Sequence, residues 1–551
     1  MKKILSLSVF SFSCLVSFAQ LDNTVEVTNE AKPVVTDVKK MPVKTKPAET
    51  KVTHYTMQYA VEGQPLSNYA EEPLGDYSSE AVWKGKKNGY VQLGGGVQGN
   101  LDGQVAYQFN LTEQDALGVD FSLKGFNGHA ADNKYYDVKG WKSRDYRNRT
   151  ALKYNHFLDN GAEFYVKGAF ENHLFNYMGD GLKTDKQHDV LGNVDLGLTP
   201  YKVDQFTFSA DGGVDFFSQN YKTTLEKKLG ETLVHANVEG VYQWADEHHV
   251  GLTANFMNSS YGNKELKGIT RLRLTPYYRY EAEKVKMQLG VFVSTKGHVA
   301  PDVSLTYHLN SWSDVYVDAR GYEEDNTYRR FSQIHPYFVL DGDGAADGKM
   351  KMEAAFHQMN ARIGYRFKGL YGFSGDINGG FDLVKNAPNM DWISNGVDGW
   401  LYPWMQFQKR KSFYVNADIV YAYKDVVKVD AKNRLNVESN RYADKWKEGS
   451  YLSPAFEMNW KADFKLMKDL YLGLDWNLAC YAKVDLNLEP ASQYKRPNTV
   501  NLGASIRYTL PMDLPVTVFV KGDNLLNQNY DRYFGYRNIG PNFLAGFAMS
   551  F

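Results

Sequence analysis

Residues 543–551 alternate without a break. Phe543, Ala545, Phe547, Met549 and Phe551 share one face, and Leu544, Gly546, Ala548 and Ser550 share the other. Period two, with large apolar residues on one side and small ones on the other, specifies a strand with one greasy face. The same period recurs along most of the chain. In 413–423 it puts Phe413, Val415, Ala417, Ile419 and Tyr421 on one side. In 500–508 it sets Val500, Leu502, Ala504 and Ile506 against Asn501, Gly503, Ser505 and Arg507. Apolar-out and polar-in inverts a soluble barrel and is what a lipid-embedded barrel needs, because a closed sheet satisfies every backbone polar group internally. After the first 20 residues no segment approaches 18 consecutive apolar residues, so a membrane crossing has to be made by strands.

The N-terminus reads as an export signal over residues 1–19. Lys2 and Lys3 precede an apolar stretch, and Ser17-Phe18-Ala19 forms a small-x-small cleavage site that leaves Gln20 first. Cys14 lacks a good lipobox, since Ser11-Phe12-Ser13 precedes it and the apolar run continues past it. Once the signal is removed Cys480 stands alone, so no intrachain disulfide forms. Its parity with Leu472, Leu474, Trp476 and Leu478 makes it a small apolar residue on a lipid-facing strand. The formal net charge is −1, and two units lower without Lys2 and Lys3, which argues against nucleic acid as a partner.

Residues 20–89 form an N-terminal extension on the periplasmic side. From 20 to about 55 it mixes Lys, Pro, Val and Thr without period, as a flexible arm does. The part from 56 to 89 carries Tyr59, Tyr69, Tyr77 and Trp83, enough apolar surface to pack inside a barrel. Residues 90–551 then hold about 22 strands, at about 21 residues per strand and connection, which suits ~10-residue spanning strands. Connections alternate short and long. The short ones expected are 159–161, 245–247, 281–284, 408–412, 467–469 and 510–515; the long ones are 128–144, 219–230, 326–350, 385–399, 424–449, 484–499 and 527–541. Short periplasmic turns and long extracellular loops are the outer-membrane rule. The first hairpin departs from it, with a tight turn at 100–103 on the outer side.

The run Leu514-Pro-Val-Thr-Val-Phe-Val-Lys-Gly-Asp-Asn-Leu-Leu-Asn-Gln-Asn-Tyr530, then Gly535-Tyr536 and the closing strand to Phe551, resembles the end of a TonB-dependent receptor. A Val-rich strand runs into Asn524-Leu525, Tyr530 follows, a loop holds Gly535, and the last strand ends in Phe551. The likeness covers roughly the last 85 residues, including 469–483 and 498–510. A terminal aromatic strand also resembles the signal that outer-membrane barrels present to their assembly machinery, which makes Phe551 the expected contact with it. Members of the family carry a plug domain of well over a hundred residues ahead of the barrel. Residues 20–89 are too few for one, so the expectation is a receptor-like barrel lacking the full plug. The segment Thr24-Val-Glu-Val-Thr28 is loosely similar to the family's TonB-contacting segment and equally fits a flexible arm.

Three clusters invite a chemical reading. Asp341, Asp343 and Asp347 alternate with glycines in a long outer loop, but the spacing is too short for an EF-hand and no bidentate Glu follows. Trp392, Trp400, Tyr402 and Trp404 can stack on a ligand or form an interfacial girdle, and the girdle is favoured. His248-His249 sit at a short turn without ligand spacing around them. No catalytic pair, cofactor site or metal site is assigned, and Arg507 and Asp475 are expected to line a watery lumen. The reading is therefore an all-β transmembrane antiparallel barrel in the cell outer membrane, transporting or binding a small solute and not an enzyme. A non-transporting scaffold or accessory subunit of an outer-membrane complex is the alternative. Expected partners are lipid, the assembly machinery, and TonB or another outer-membrane or periplasmic protein.

Overall fold

The structure is a computed structural model. It describes residues 88–551 apart from 131–139, 177–186, 220–228, 263–267, 339–351, 395–400, 443–444, 483–495 and 513–515. The N-terminal segments and the Asp341, Asp343 and Asp347 cluster therefore lie outside the described residues, as does Trp400.

The first strands are β1 (Gly89–Gly96), β2 (Leu101–Asn110), β3 (Asp115–His129), β4 (Lys142–Phe157), β5 (Glu163–Phe175) and β6 (Gln187–Val203). They continue with β7 (Phe206–Gln219), β8 (Leu229–Ala245), β9 (His248–Tyr261), β10 (Ile269–Glu281), β11 (Val285–Ser294), β12 (Val299–Asn310) and β13 (Ser313–Glu324). A short helix α1 (Tyr328–Ile334) leads to β14 (Ala355–Leu370), β15 (Phe373–Ser394), β16 (Leu401–Tyr423), β17 (Val427–Tyr442) and β18 (Lys445–Glu448). The last are β19 (Phe456–Met467), β20 (Leu470–Cys480), β21 (Thr499–Thr509), β22 (Val516–Asp523), β23 (Asp531–Tyr533), β24 (Tyr536–Arg537) and β25 (Asn542–Ser550). Setting aside β18, β23 and β24, 22 strands form one closed antiparallel barrel, each paired with its chain neighbour, with β25 closing on β1. The strand count read from the alternation holds.

Outward positions carry the apolar band. Val194, Val238, Ile363, Phe413, Val437 and Ile506 are all at least half exposed, as side chains facing lipid must be. Inward positions alternate with them and are polar. At one end, here the turn end, connections are tight and residues such as Asp204, Tyr371, Lys424 and Asp469 take left-handed conformations. Both Gly89 and Phe551 lie at this end and exchange backbone bonds of 2.8 and 3.0 Å. At the opposite, loop end most connections are long.

Four boundaries differ from the sequence reading. Residues 408–412 are no turn: β16 runs unbroken through them, with Arg410 inward on Asp382 and Lys409 and Lys411 outward and exposed. Three consecutive cations break an apolar alternation but not a polar strand beyond the lipid band. The segment 424–449 is no long loop either. The turn is the short stretch between Tyr423 and Val427, and β17 fills the segment up to Tyr442. Likewise 385–399 is largely strand, because β15 and β16 pair as far as Ser394 and Leu401. The first hairpin turns at Val97–Gly99 and Asn100, not at 100–103.

The seam between first and last strands is glycine-tight. Gly94 pairs with Gly546, and the Leu544 and Phe519 side chains lie over the space a side chain would need. A Cβ on Gly546 would come 2.2 Å from the Leu93 carbonyl oxygen, and one on Gly96 1.9 Å from that of Phe543. Backbone cannot yield there without unpairing the closure. Gly546→Val should cut the folded, heat-modifiable form severalfold in gel mobility assays, while valine at exposed Gly95, where a Cβ meets nothing within 4 Å, should cut it far less.

Candidate functional site

The loop-end mouth is closed by the chain itself. Three loop segments turn inward and pack together: 325–338, 449–455 and 524–541. In the first, Tyr328, Phe331 and Ile334 recur every third residue and so share one face of α1. The Thr327 hydroxyl accepts from the Arg330 backbone N–H and starts the helix. That face joins Phe338 and Met352, inward wall residues Leu191 and Phe217, Met390 and Met405 from the tips of β15 and β16, and Tyr451 and Phe534 from the other loops. All are buried, Phe331, Phe338, Met390 and Met405 completely. A dry core inside a barrel mouth is a plug made of loops.

Polar pairs dock the cap on the wall. Arg329 pairs with Asp215 of β7 and donates its backbone N–H to Glu231 of β8 at 3.2 Å. Arg271 of β10 reaches Asp325 and the Met352 carbonyl, and Arg273 reaches Glu323 at 3.0 Å. Gln219 donates to the Pro336 carbonyl at 3.3 Å. From the β23–β24 hairpin, Arg532 pairs with Asp145 of β4 at 3.0 Å and lies over the Phe126 ring, while the Tyr533 hydroxyl accepts from Arg147 at 2.8 Å.

The two largest segments meet at His335. Its Nε2 donates to the Phe534 carbonyl at 2.9 Å, so Nδ1 is the unprotonated nitrogen, and Nδ1 is buried with no hydrogen-bond partner. Tyr337 and Tyr536 stack beside it at 3.7 Å with ring planes 4° apart, and Tyr533 packs against both His335 and Tyr337. Burial lowers the His335 pKa to about 3, with Arg496 adding to the fall. Burial raises Asp531 to about 6 although Arg537 pulls it down, and it raises Tyr337 well above the usual phenol range. Below the cap the inner wall pairs opposite charges across strands: Lys521 with Asp102 at 3.0 Å, Arg362 with Asp318 at 2.8 Å and Arg410 with Asp382 at 3.3 Å.

Arg507 and Asp475 do line the lumen, sharing one niche with Lys461, Asp463, Ser505 and Lys521. His248 belongs to an aromatic cluster at the turn end. Its ring stacks 5.7 Å from Trp244, and its Nδ1 lies 2.8 Å from the Tyr278 hydroxyl. Trp392, Tyr402 and Trp404 stand on the paired tips of β15 and β16. The terminal motif has structural roles. Asn524 turns left-handed at the end of β22 and brackets Gln528 with its amide, Tyr530 is buried in the cap, and Gly535 takes a positive φ and donates to Asp531. The cap core was missed from sequence, although the Tyr328, Phe331, Ile334 spacing and the Tyr530, Tyr533, Phe534, Tyr536 density were its signal.

A closed 22-stranded barrel with a self-made lid defines the class. No protein-family model and no curated protein matches the chain. Solved structures match it in fold. It is similar to the FrpB iron transporter from Neisseria meningitidis, with a TM-score of 0.65 and 10% identity over 86% of this chain and 83% of that one. It is also similar to the ferric-catecholate import receptor Fiu of E. coli K12 (TM-score 0.60, 10% identity, 87% and 82% covered). The siderophore receptor PirA from Acinetobacter baumannii matches likewise (0.62, 10%, 85% and 81%). At this identity the likeness is one of barrel fold.

Proposed function

We propose that the protein is an outer-membrane transport barrel that takes up a small solute through a lumen closed at its outer mouth by the loop cap. The carrying observation is the dry core of α1 and its neighbours inside a 22-stranded wall, on the fold of iron and siderophore receptors. Residues 1–19 act as the export signal and 20–89 as a periplasmic extension, with the turn end facing the periplasm. Phe551, on the outward face of the closing strand, is the contact for the assembly machinery. The cap closes the outer mouth, and a periplasmic energy-coupling protein such as TonB is the candidate opener. The test is solute uptake into liposomes holding the purified protein. Uptake that appears when the cap is loosened supports transport. No flux in any cap variant, with a partner protein co-purifying, would replace this reading with the scaffold one.

A further inference from the structure

Below the cap the inner wall carries a recess floored by glycine. On β20 and β21 the inward positions Gly473 and Gly503 bring no side chain, and over them lies a cavity of about 100 Å3 walled by side chains of β19 to β22. The floor has no room to spare. A Cβ on Gly473 would come 2.4 Å from the Ser505 hydroxyl oxygen, and one on Gly503 3.5 Å from the Cβ of Asp475. On the outer side of the same strands stand Leu474 and Ile506, 37% and 53% exposed. The recess therefore lies at the height of the lipid band, where a solute that has passed the cap must go by it.

Its formal charges balance: Lys461, Arg507 and Lys521 against Asp463, Asp475 and Asp523. Most are already held. Arg507 pairs with Asp463, Lys521 reaches Asp102 at 3.0 Å, and Asp523 accepts from the Asn501 amide at 2.9 Å. Lys461 and Asp475 differ. They are direct partners in the β19–β20 register, yet neither makes a hydrogen bond or an ion pair with a described residue. Arg362 and Asp318, opposed in the same way on β14 and β13, close to 2.8 Å. Directly opposed side chains leave the wall about 5 Å apart, so an ammonium and a carboxylate stand side by side at the recess with no partner yet. A solute of one net sign is repelled by one of them as it is drawn to the other. A compact zwitterion answers both at once, its carboxylate on Lys461 and its ammonium on Asp475, each through a charge-assisted hydrogen bond. The bare floor leaves room for a small side group and no more.

We propose that this recess binds a small α-amino acid on its way through the lumen. The proposal names a solute class for the uptake reading and rests on that reading. Full-length protein in detergent is dialysed to equilibrium against labelled L-alanine, propionate or ethylamine. The wild type should hold alanine about tenfold or more above either singly charged relative, because each of those leaves one charged hydrogen bond unmade. Lys461→Gln and Asp475→Asn should each lower alanine retention by a similar factor. Gly503→Val changes no charge but fills the floor, and should lower it too. Asp418→Asn with Lys432→Gln removes an opposed pair of β16 and β17 outside the recess and should match the wild type. Heat-modifiability confirms that each variant is folded, and the charge variants decide if Gly503→Val is not. Equal retention of the three compounds overturns the proposal, as does alanine retention unchanged by both Lys461→Gln and Asp475→Asn. Liposome uptake separates this site from transport itself. Alanine held by a barrel that passes no solute overturns the uptake reading and keeps the site, whereas uptake with no preference for alanine over propionate keeps uptake and overturns the site.

Discussion

Phe331→Ala is expected to open the outer mouth. Phe331 is fully buried at the centre of the cap, with its ring 5.7 Å from Phe338 and 5.8 Å from Phe407 of β16. Removing a ring from such a site costs about 3–5 kcal/mol. That loss falls on the closed cap alone, because the wall is held by backbone ladders that α1 does not enter. At a factor of ten per 1.4 kcal/mol, the ratio of open to closed cap should rise by about two to three and a half orders of magnitude. Single-channel conductance in planar bilayers reads this directly: rare openings in the wild type, long-lived openings in the variant. Heat-modifiability should stay unchanged. Phe413→Ala removes an equally large ring from the lipid face and should leave conductance alone. A silent Phe331→Ala protein would mean that the cap is not what closes the lumen, and the weight would pass to residues 56–89 or to a bound partner.

The wall was legible because lipid imposes a simple rule on it. Outward residues must be apolar, inward ones need not be, and the period of two exposes the difference at Phe413, Val415, Ile506 and Phe547. The rule ends where the lipid ends. Lys409-Arg410-Lys411 carries the same alternation of direction, but both faces are polar there, so hydrophobic periodicity sees nothing and a charge run looks like a turn. The cap was hidden for another reason. Phe331 and Phe534 are 203 positions apart and meet only because closure of the barrel brings the β13–β14 and β22–β25 connections over one mouth. A single sequence shows two aromatic-rich loops; their partnership is a property of the ring. The seam glycines were visible as residues, but their necessity follows from the register of β1 on β25, which alternation does not state.

Acid should loosen the cap once a compensating carboxyl is removed. In the closed cap His335 has a pKa of about 3, against about 6.5 when free. Between those values the open cap binds a proton that the closed one refuses, so falling pH favours opening, by about tenfold per unit while the slope is full. The cause is burial first: Nε2 already donates to the Phe534 carbonyl, Nδ1 makes no hydrogen bond in the closed cap, and the Arg496 guanidinium opposes a second proton. Asp531 works in the other direction. Its closed-state pKa is about 6, above the ordinary value of about 3.9, so between those two values the closed cap binds the extra proton and falling pH favours closing. Of the groups packed at this junction, Tyr337 and Tyr533 stay neutral through this range, since burial raises both phenols, and Arg496 and Arg532 stay cationic. In the wild type the two slopes largely cancel from about pH 6 to about 4, leaving a shallow response. Asp531→Asn removes the closing slope, and open probability should then climb steadily as the outer bath is taken from pH 7 to pH 4. His335→Gln keeps a donor for the Phe534 carbonyl but removes the opening slope, and that protein should close further over the same range. Bilayer recordings with only the outer bath acidified separate the three proteins. Parallel curves for the wild type and both variants would show that neither buried group is linked to the cap.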